Sequence, residues 1–197
     1  MTTATRNVEP GRRTRILKDE ARARLISATI TLCERLPFNE VSTRMICAEA
    51  GLNPSTILQQ FGTLDALLAE SAKELVRRYT SDRDNWSGEP SAFSDDGIAL
   101  RSRLVAWLLL KGYEPQQLRS ELLTDETVMA RQVAVLHVGN RMAAAWTSLT
   151  SMIVEANAIF GPTHQLSEQE TQDVVQLVFA MREALPAIEE KMGWEAS

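Results

Sequence analysis

Ser42-Thr-Arg-Met-Ile-Cys-Ala-Glu-Ala-Gly-Leu-Asn-Pro-Ser-Thr-Ile-Leu-Gln-Gln-Phe61 reads as two short helices broken at Gly51. Ser42 is placed to cap the first helix, its hydroxyl accepting from a free amide two or three residues on. Ile46 and Ala50, with Cys47, then make one apolar stripe. Gly51 ends the helix, because the residue past a helix end commonly turns left-handed and glycine does so without steric cost. Leu52 can then fold back onto the helix it has left. Asn53 is expected to cap the second helix and Pro54 to open it, losing only an amide that had no partner. Ile57 and Phe61, four apart, face inward. Ser55, Thr56, Leu58, Gln59 and Gln60 are left on the outer surface or its edges. Two helices joined in this way match a helix-turn-helix, for which double-stranded DNA is the first partner to consider.

The surroundings of the motif extend the match. Upstream, a helix carries Leu25, Ile26, Ala28, Thr29, Leu32 and Cys33, followed by the turn Leu36-Pro-Phe-Asn-Glu-Val-Ser42. Downstream come Phe61-Gly62 and Ala66-Leu67-Leu68. With Arg44, Ile46, Ala50-Gly51-Leu52 and Thr56, this order and spacing resembles the N-terminal domain of TetR-family transcriptional regulators, over roughly the first third of the chain. The resemblance implies an all-α protein. It places an N-terminal three-helix helix-turn-helix domain at 19–79 and a C-terminal helical ligand-binding and dimerisation domain at 80–197. It implies a homodimeric repressor on a palindromic operator, released by a small-molecule effector. DNA contacts would come from Ser42, Thr43, Arg44, Asn53, Pro54, Ser55, Thr56, Gln59, Gln60 and Thr63.

The chain departs from the family at Leu58, where Tyr is usual, at Gln59 and Gln60, where His or a similar polar residue is usual, and at Leu64, where Lys is usual. Two customary phosphate contacts are thereby missing. Since such contacts set affinity through counterion release, binding should be weaker and less salt-dependent unless other cations replace them. Arg6, Arg12, Arg13, Arg15, Lys18, Arg22 and Arg24 stand upstream against Glu9, Asp19 and Glu20, a net of +4. Such an arm would follow the DNA backbone or enter the minor groove. Residues 1–62 hold nine Lys/Arg against six Asp/Glu, so the chain's net charge of −5 divides into +3 for this part and −8 for the remainder. A basic head on an acidic body fits DNA reading at one end.

No apolar run approaches the roughly 20 residues that span a bilayer. The Arg-rich N-terminus has no apolar segment after it, so no secretory signal is expected, and the protein is expected in the cytoplasm, not in a membrane. Cys33 and Cys47 fall at core positions and read as structural thiols.

The remaining pattern is helical. A helix over 64–82 starts after the cap Thr63, and a turn-rich loop over 84–96 holds Trp86 and Phe93. Asp95 or Asp96 caps a helix running to about Tyr113, whose centre Leu104-Val-Ala-Trp-Leu-Leu-Leu110 is apolar all round and so expected to be buried. Pro115 opens a short helix to about Leu123. Two long helices follow, over about 125–160 and 168–192. Gly139, Met142, Trp146, Leu149, Ile153, Ala156 and Phe160 form a seam on the first, and Val174, Val178, Met181, Leu185, Ile188 and Met192 on the second. Pro186 should kink the last helix or end it at Leu185. Two such helices resemble the pair through which TetR-type proteins form a four-helix dimer interface.

The resemblance also implies an effector pocket in the body, with Trp107, Tyr113, Met129, His137, Asn140, Arg141 and Trp146 as candidates. His137, Asn140 and Arg141 form the polar cluster of that stretch. Catalysis finds no support. There are two histidines, no Gly-rich phosphate loop, no nucleophile elbow and no metal-ligand spacing, so neither enzyme activity nor a cofactor or metal is expected. Glu189-Glu190 and Asp95-Asp96 read as caps or solvated charges. Leu58 and Leu64 keep one alternative open, a TetR-like helical module that binds a ligand or protein and has lost specific DNA binding.

Overall fold

The computed structural model describes residues 10–81, 95–119 and 126–194. Expectations for Arg6, for the loop with Trp86 and Phe93, and for 120–125 lie outside the described residues, as do the side chains of Arg12, Arg13 and Arg15. The described residues form ten helices and no strand, as the all-α reading requires. They are α1 Pro10–Arg35, α2 Thr43–Ala50, α3 Ser55–Phe61, α4 Leu64–Ser81, α5 Asp96–Leu110, α6 Pro115–Leu118, α7 Glu126–Leu136, α8 Asn140–His164, α9 Glu168–Glu183 and α10 Leu185–Met192. The chain divides into two compact units, Met1–Ser71 and Ala72–Ser197.

In the first unit α1 packs against α2 and α3, and these two against each other. Leu25, Ile30, Ile46, Cys47, Ile57, Leu67 and Leu68 are all buried. The buried hydroxyls of Thr29 and Ser71 donate to the carbonyls of Leu25 and Leu67, four residues back, so neither is left unsatisfied. Residues 10–24, expected as an arm, are the first turns of α1.

Ser42 caps α2 by accepting from the Met45 amide at 3.3 Å. Gly51 closes it at φ +64°, and the Leu52 amide returns to the Cys47 carbonyl at 2.8 Å. A Cβ on Gly51 would meet nothing within 4 Å, so only backbone strain opposes a side chain there. Gly51→Ala is therefore expected to cost about 1 kcal/mol in urea denaturation, the left-handed penalty alone.

Both thiols are free and buried. Burial pushes Cys33 up to about 11, helped by the neighbouring Glu34 carboxylate. Burial also raises Cys47, against a smaller lowering from a hydrogen bond to the Ile57 backbone. Thiols held neutral in this way are poor nucleophiles. Because the folded value for Cys33 exceeds the ordinary 9.0, its contribution to stability is full below about pH 9 and is lost as the pH rises toward 11. Cys33→Ala should flatten that alkaline fall in a pH series of thermal melts.

In the second unit Asp95 caps α5, accepting from the Ile98 amide at 2.8 Å, and α5 packs on α8. Leu104 and Leu108 are buried, but Leu109 is 43% and Leu110 86% exposed. The helix expected to be buried all round is thus not covered at its C-terminal end, where the backbone turns at Lys111–Gly112 directly after Leu110. A second correction concerns the helix expected over 125–160, which is two helices. His137 takes a left-handed φ of 54°, and Gly139 stands extended before α8 instead of lying on its seam. The Glu189 carboxylate accepts from the Gly139 amide at 2.9 and 3.0 Å, satisfying a free donor at the start of α8. The helix expected over 168–192 also divides, at Ala184, with Pro186 in the first turn of α10. Ser167 and Glu170 open α9 with reciprocal hydrogen bonds, which hold the Glu170 carboxyl below its usual range.

Candidate nucleic-acid interface

The outward face of α2 and α3 is defined by what is held inward. Ile57 is 2% exposed, and Phe61 is half-buried beneath the Arg22 guanidinium, 4.5 Å from its ring centroid. The same guanidinium pairs with Glu70 at 2.6 Å and donates to the Gln60 carbonyl at 3.5 Å. With one side anchored, α3 leaves Ser55, Leu58 and Gln59 exposed, and Thr56 and Gln60 half-buried at its margins. Thr43, Arg44, Asn53, Pro54 and Thr63 are also exposed, and Ser42 is half-buried.

Three of these ten expected DNA-facing residues already have structural work. Ser42 caps α2, and Thr63 accepts from the Ala66 amide at 3.1 Å at the start of α4. The Asn53 side-chain oxygen accepts from the amide and hydroxyl of Ser55 at 3.1 and 3.0 Å. Pro54 already has helical angles, φ −52° and ψ −31°, so Asn53 fills the capping role expected of it although α3 is bounded at Ser55. Arg44, Gln59 and Gln60 carry the long polar side chains of the set. Leu58, which precedes the two glutamines on α3, is 71% exposed.

The upstream cations are fewer in effect than their number in the sequence. Arg22 pairs with Glu70 and Arg24 with Glu20, so both charges are already matched inside the protein. Comparison of the chain with protein-family models, with curated proteins and with solved structures finds no match.

The structure brings some of the seven candidate effector residues together, but not all. Trp146 is buried with Leu136, Val138, Met142, Ala143 and Leu185, and Met129 packs against that cluster. Trp107 and Tyr113 are half-buried, on α5 and just after it. His137 and Asn140 are exposed on either side of the α7–α8 break, so the helical spacing that grouped them with Arg141 does not exist. Arg141 lies over the Trp194 ring at 4.1 Å. A surface groove of about 360 Å³ runs beside α5 and α6, lined by Val105, Leu109, Pro115, Gln116, Leu118 and Arg119, and includes none of the seven.

Sequence reading took Glu189 for a cap or solvated charge without finding its partner, and it missed Trp194 and Thr147. The first two act across about fifty residues of chain, a pairing that local spacing does not signal. Thr147, next to Trp146, holds a buried hydroxyl without a partner among the described residues. Nor do the described residues hold a group of three His, Cys, Asp or Glu suited to a metal ion, or a helix long and apolar enough to cross a membrane.

Proposed function

We propose that the chain is a DNA-binding transcriptional regulator of TetR type, with a helix-turn-helix at 42–61 in an N-terminal head, followed in the chain by a helical regulatory body. It acts as a homodimeric repressor released from a palindromic operator by a small-molecule effector. The observation that carries this reading is α3 itself. A seven-residue helix is anchored by Ile57 and Phe61 on one side and turns Ser55 and Gln59 to solvent on the other, after a capped α2 and a left-handed Gly51. A helix so placed suits the major groove, where a glutamine amide pairs bidentately with adenine.

The dimer is supported by apolar surface. Leu149, Met152 and Phe160 on α8, and Val174, Leu177 and Met181 on α9, are exposed at helical spacing. Stripes of this kind mark a partner, and a second copy satisfies both helices at once while supplying the two-fold axis a palindrome needs. An effector would bind in the second unit, where the unpartnered Thr147 hydroxyl is a polar atom that a ligand group would satisfy.

Two changes separate base reading from backbone attraction. Gln59→Ala should cost about 1–3 kcal/mol at the preferred site and leave binding to mixed sequence nearly unchanged. Removing residues 1–15 should weaken binding to every duplex and lower the slope of log affinity against log salt by about 0.9 for each phosphate no longer neutralised. Equal losses on both duplexes for Gln59→Ala would contradict base reading by α3.

One observation favours a second reading, a ligand- or protein-binding module without specific DNA recognition. Leu58, 71% exposed on α3, presents an apolar side chain where a polar contact is expected. Absence of any preferred sequence would favour it.

A further inference from the structure

We propose that Arg22 is a positioning residue for α3, holding the C-terminal end of that helix in place and tying it to Glu70 on α4. The inference rests on the assignment of α3 as the DNA-reading helix. Counted along the sequence, Arg22 is one more cation available to phosphate, but the structure gives it three partners within the protein. Its Nη2 meets Glu70 Oε2 at 2.6 Å, its Nη1 donates to the Gln60 carbonyl at 3.5 Å, and its Cζ lies 4.5 Å from the centre of the Phe61 ring.

The need for such a hold follows from the length of α3. Seven residues make about two turns, and helices that short are unstable on their own in water. The N-terminal end is secured by Asn53. At the other end Gly62 takes a positive φ of 76° with its amide on the Leu58 carbonyl, and the remaining last-turn carbonyls need donors from elsewhere. Arg22 supplies a donor and a positive charge at the negative end of the helix dipole.

An exposed ion pair alone contributes little, and the Arg22 and Glu70 side chains are 38% and 32% exposed. Here, however, one ordered side chain makes three contacts, and only a planar guanidinium lies on a ring while its edge donates to both oxygens. Its charge is matched by Glu70, so its effect on DNA passes through α3.

Glu70→Gln separates positioning from phosphate contact by the sign of its effect. The full chain is titrated on a duplex selected by the wild type from a random pool and on a mixed-sequence duplex, across a salt series. If Arg22 positions α3, Arg22→Ala and Glu70→Gln each lower the preference for the selected duplex about tenfold. The salt slope stays unchanged, and Arg22→Lys, which keeps the pair with Glu70 but not the stacked fork, recovers part of the preference. If Arg22 instead contacts phosphate, Arg22→Ala lowers the slope by about 0.9 and Glu70→Gln tightens binding to both duplexes, which overturns the proposal.

Hydrogen exchange on the same full-length variants reads the hold without DNA. Amides at 60–62 should exchange faster in Arg22→Ala and Glu70→Gln while those at 46–50 keep their protection. Unchanged exchange at 60–62 overturns the positioning role whatever the protein binds. Faster exchange there in a chain that selects no sequence leaves the positioning role standing and removes the DNA-reading assignment. Should Arg22→Ala unfold, the nearly isosteric Glu70→Gln carries both comparisons.

Discussion

Trp146→Ala is expected to lower the unfolding free energy by about 3–5 kcal/mol, the cost of emptying a large buried aromatic site. Trp146 is 8% exposed and stands where three helices meet. It shares a cluster with Leu136 at the end of α7, Val138 in the break, Met142 and Ala143 on α8, and Leu185 at the start of α10. Met129, Val133, Val178 and Trp194 close around that cluster. Neighbours contributed by separate helices do not collapse easily into the space an indole leaves, so the loss should lie toward the upper end of the range. Chemical denaturation followed by far-ultraviolet circular dichroism reads the change directly. A loss below about 1 kcal/mol, with a weaker response to effector, would mean that Trp146 lines a cavity and is not core.

Leu177→Asp is expected to convert the proposed dimer into folded monomers. Leu177 is 61% exposed in the single chain, so a carboxylate there leaves the fold intact. In a dimer built on α8 and α9 the same position is covered, and an unpaired buried charge costs about 3–5 kcal/mol, repeated on each side of a two-fold interface. Light scattering should report half the mass, circular dichroism an unchanged helix content, and operator affinity should fall. Val178 is less suited to this test, because it packs against the Trp146 cluster and an Asp there would unfold the chain as well. A Leu177→Asp protein that kept its dimer mass would place the shared surface elsewhere.

What the sequence made legible was local. Ser42, Gly51, Thr63, Asp95 and Pro186 each signal a helix start or stop through a hydrogen bond or backbone angle set within a few residues, and the structure places a helix boundary at or within two residues of each. The break at 137–139 was not legible in the same way. His137 adopts a left-handed angle that the residue itself does not favour, and the Gly139 amide is satisfied by Glu189, fifty residues on. The apolar seam reads as starting at Gly139 inside one helix over about 125–160, where there are two helices. Periodicity also could not divide the α8 seam. Met142 and Trp146 enter the core of the unit while Leu149 and Phe160 stay outside, although all follow one helical spacing. At the candidate DNA face the sequence located Ser55 and Gln59 on the outside, since Ile57 and Phe61 fix which side faces in. It counted Arg22 as available charge, because its pairing with Glu70, 48 residues on, depends on which side chains the fold brings together.

Selection from a random-sequence duplex pool by the full-length wild-type chain tests the regulator reading most directly. The expected result is enrichment of an inverted repeat whose half-sites lie about one helical turn or a multiple of it apart, bound by a dimer, with preference lost on Gln59→Ala. Enrichment of no sequence after repeated rounds at moderate salt, with affinity equal on every duplex, would contradict it.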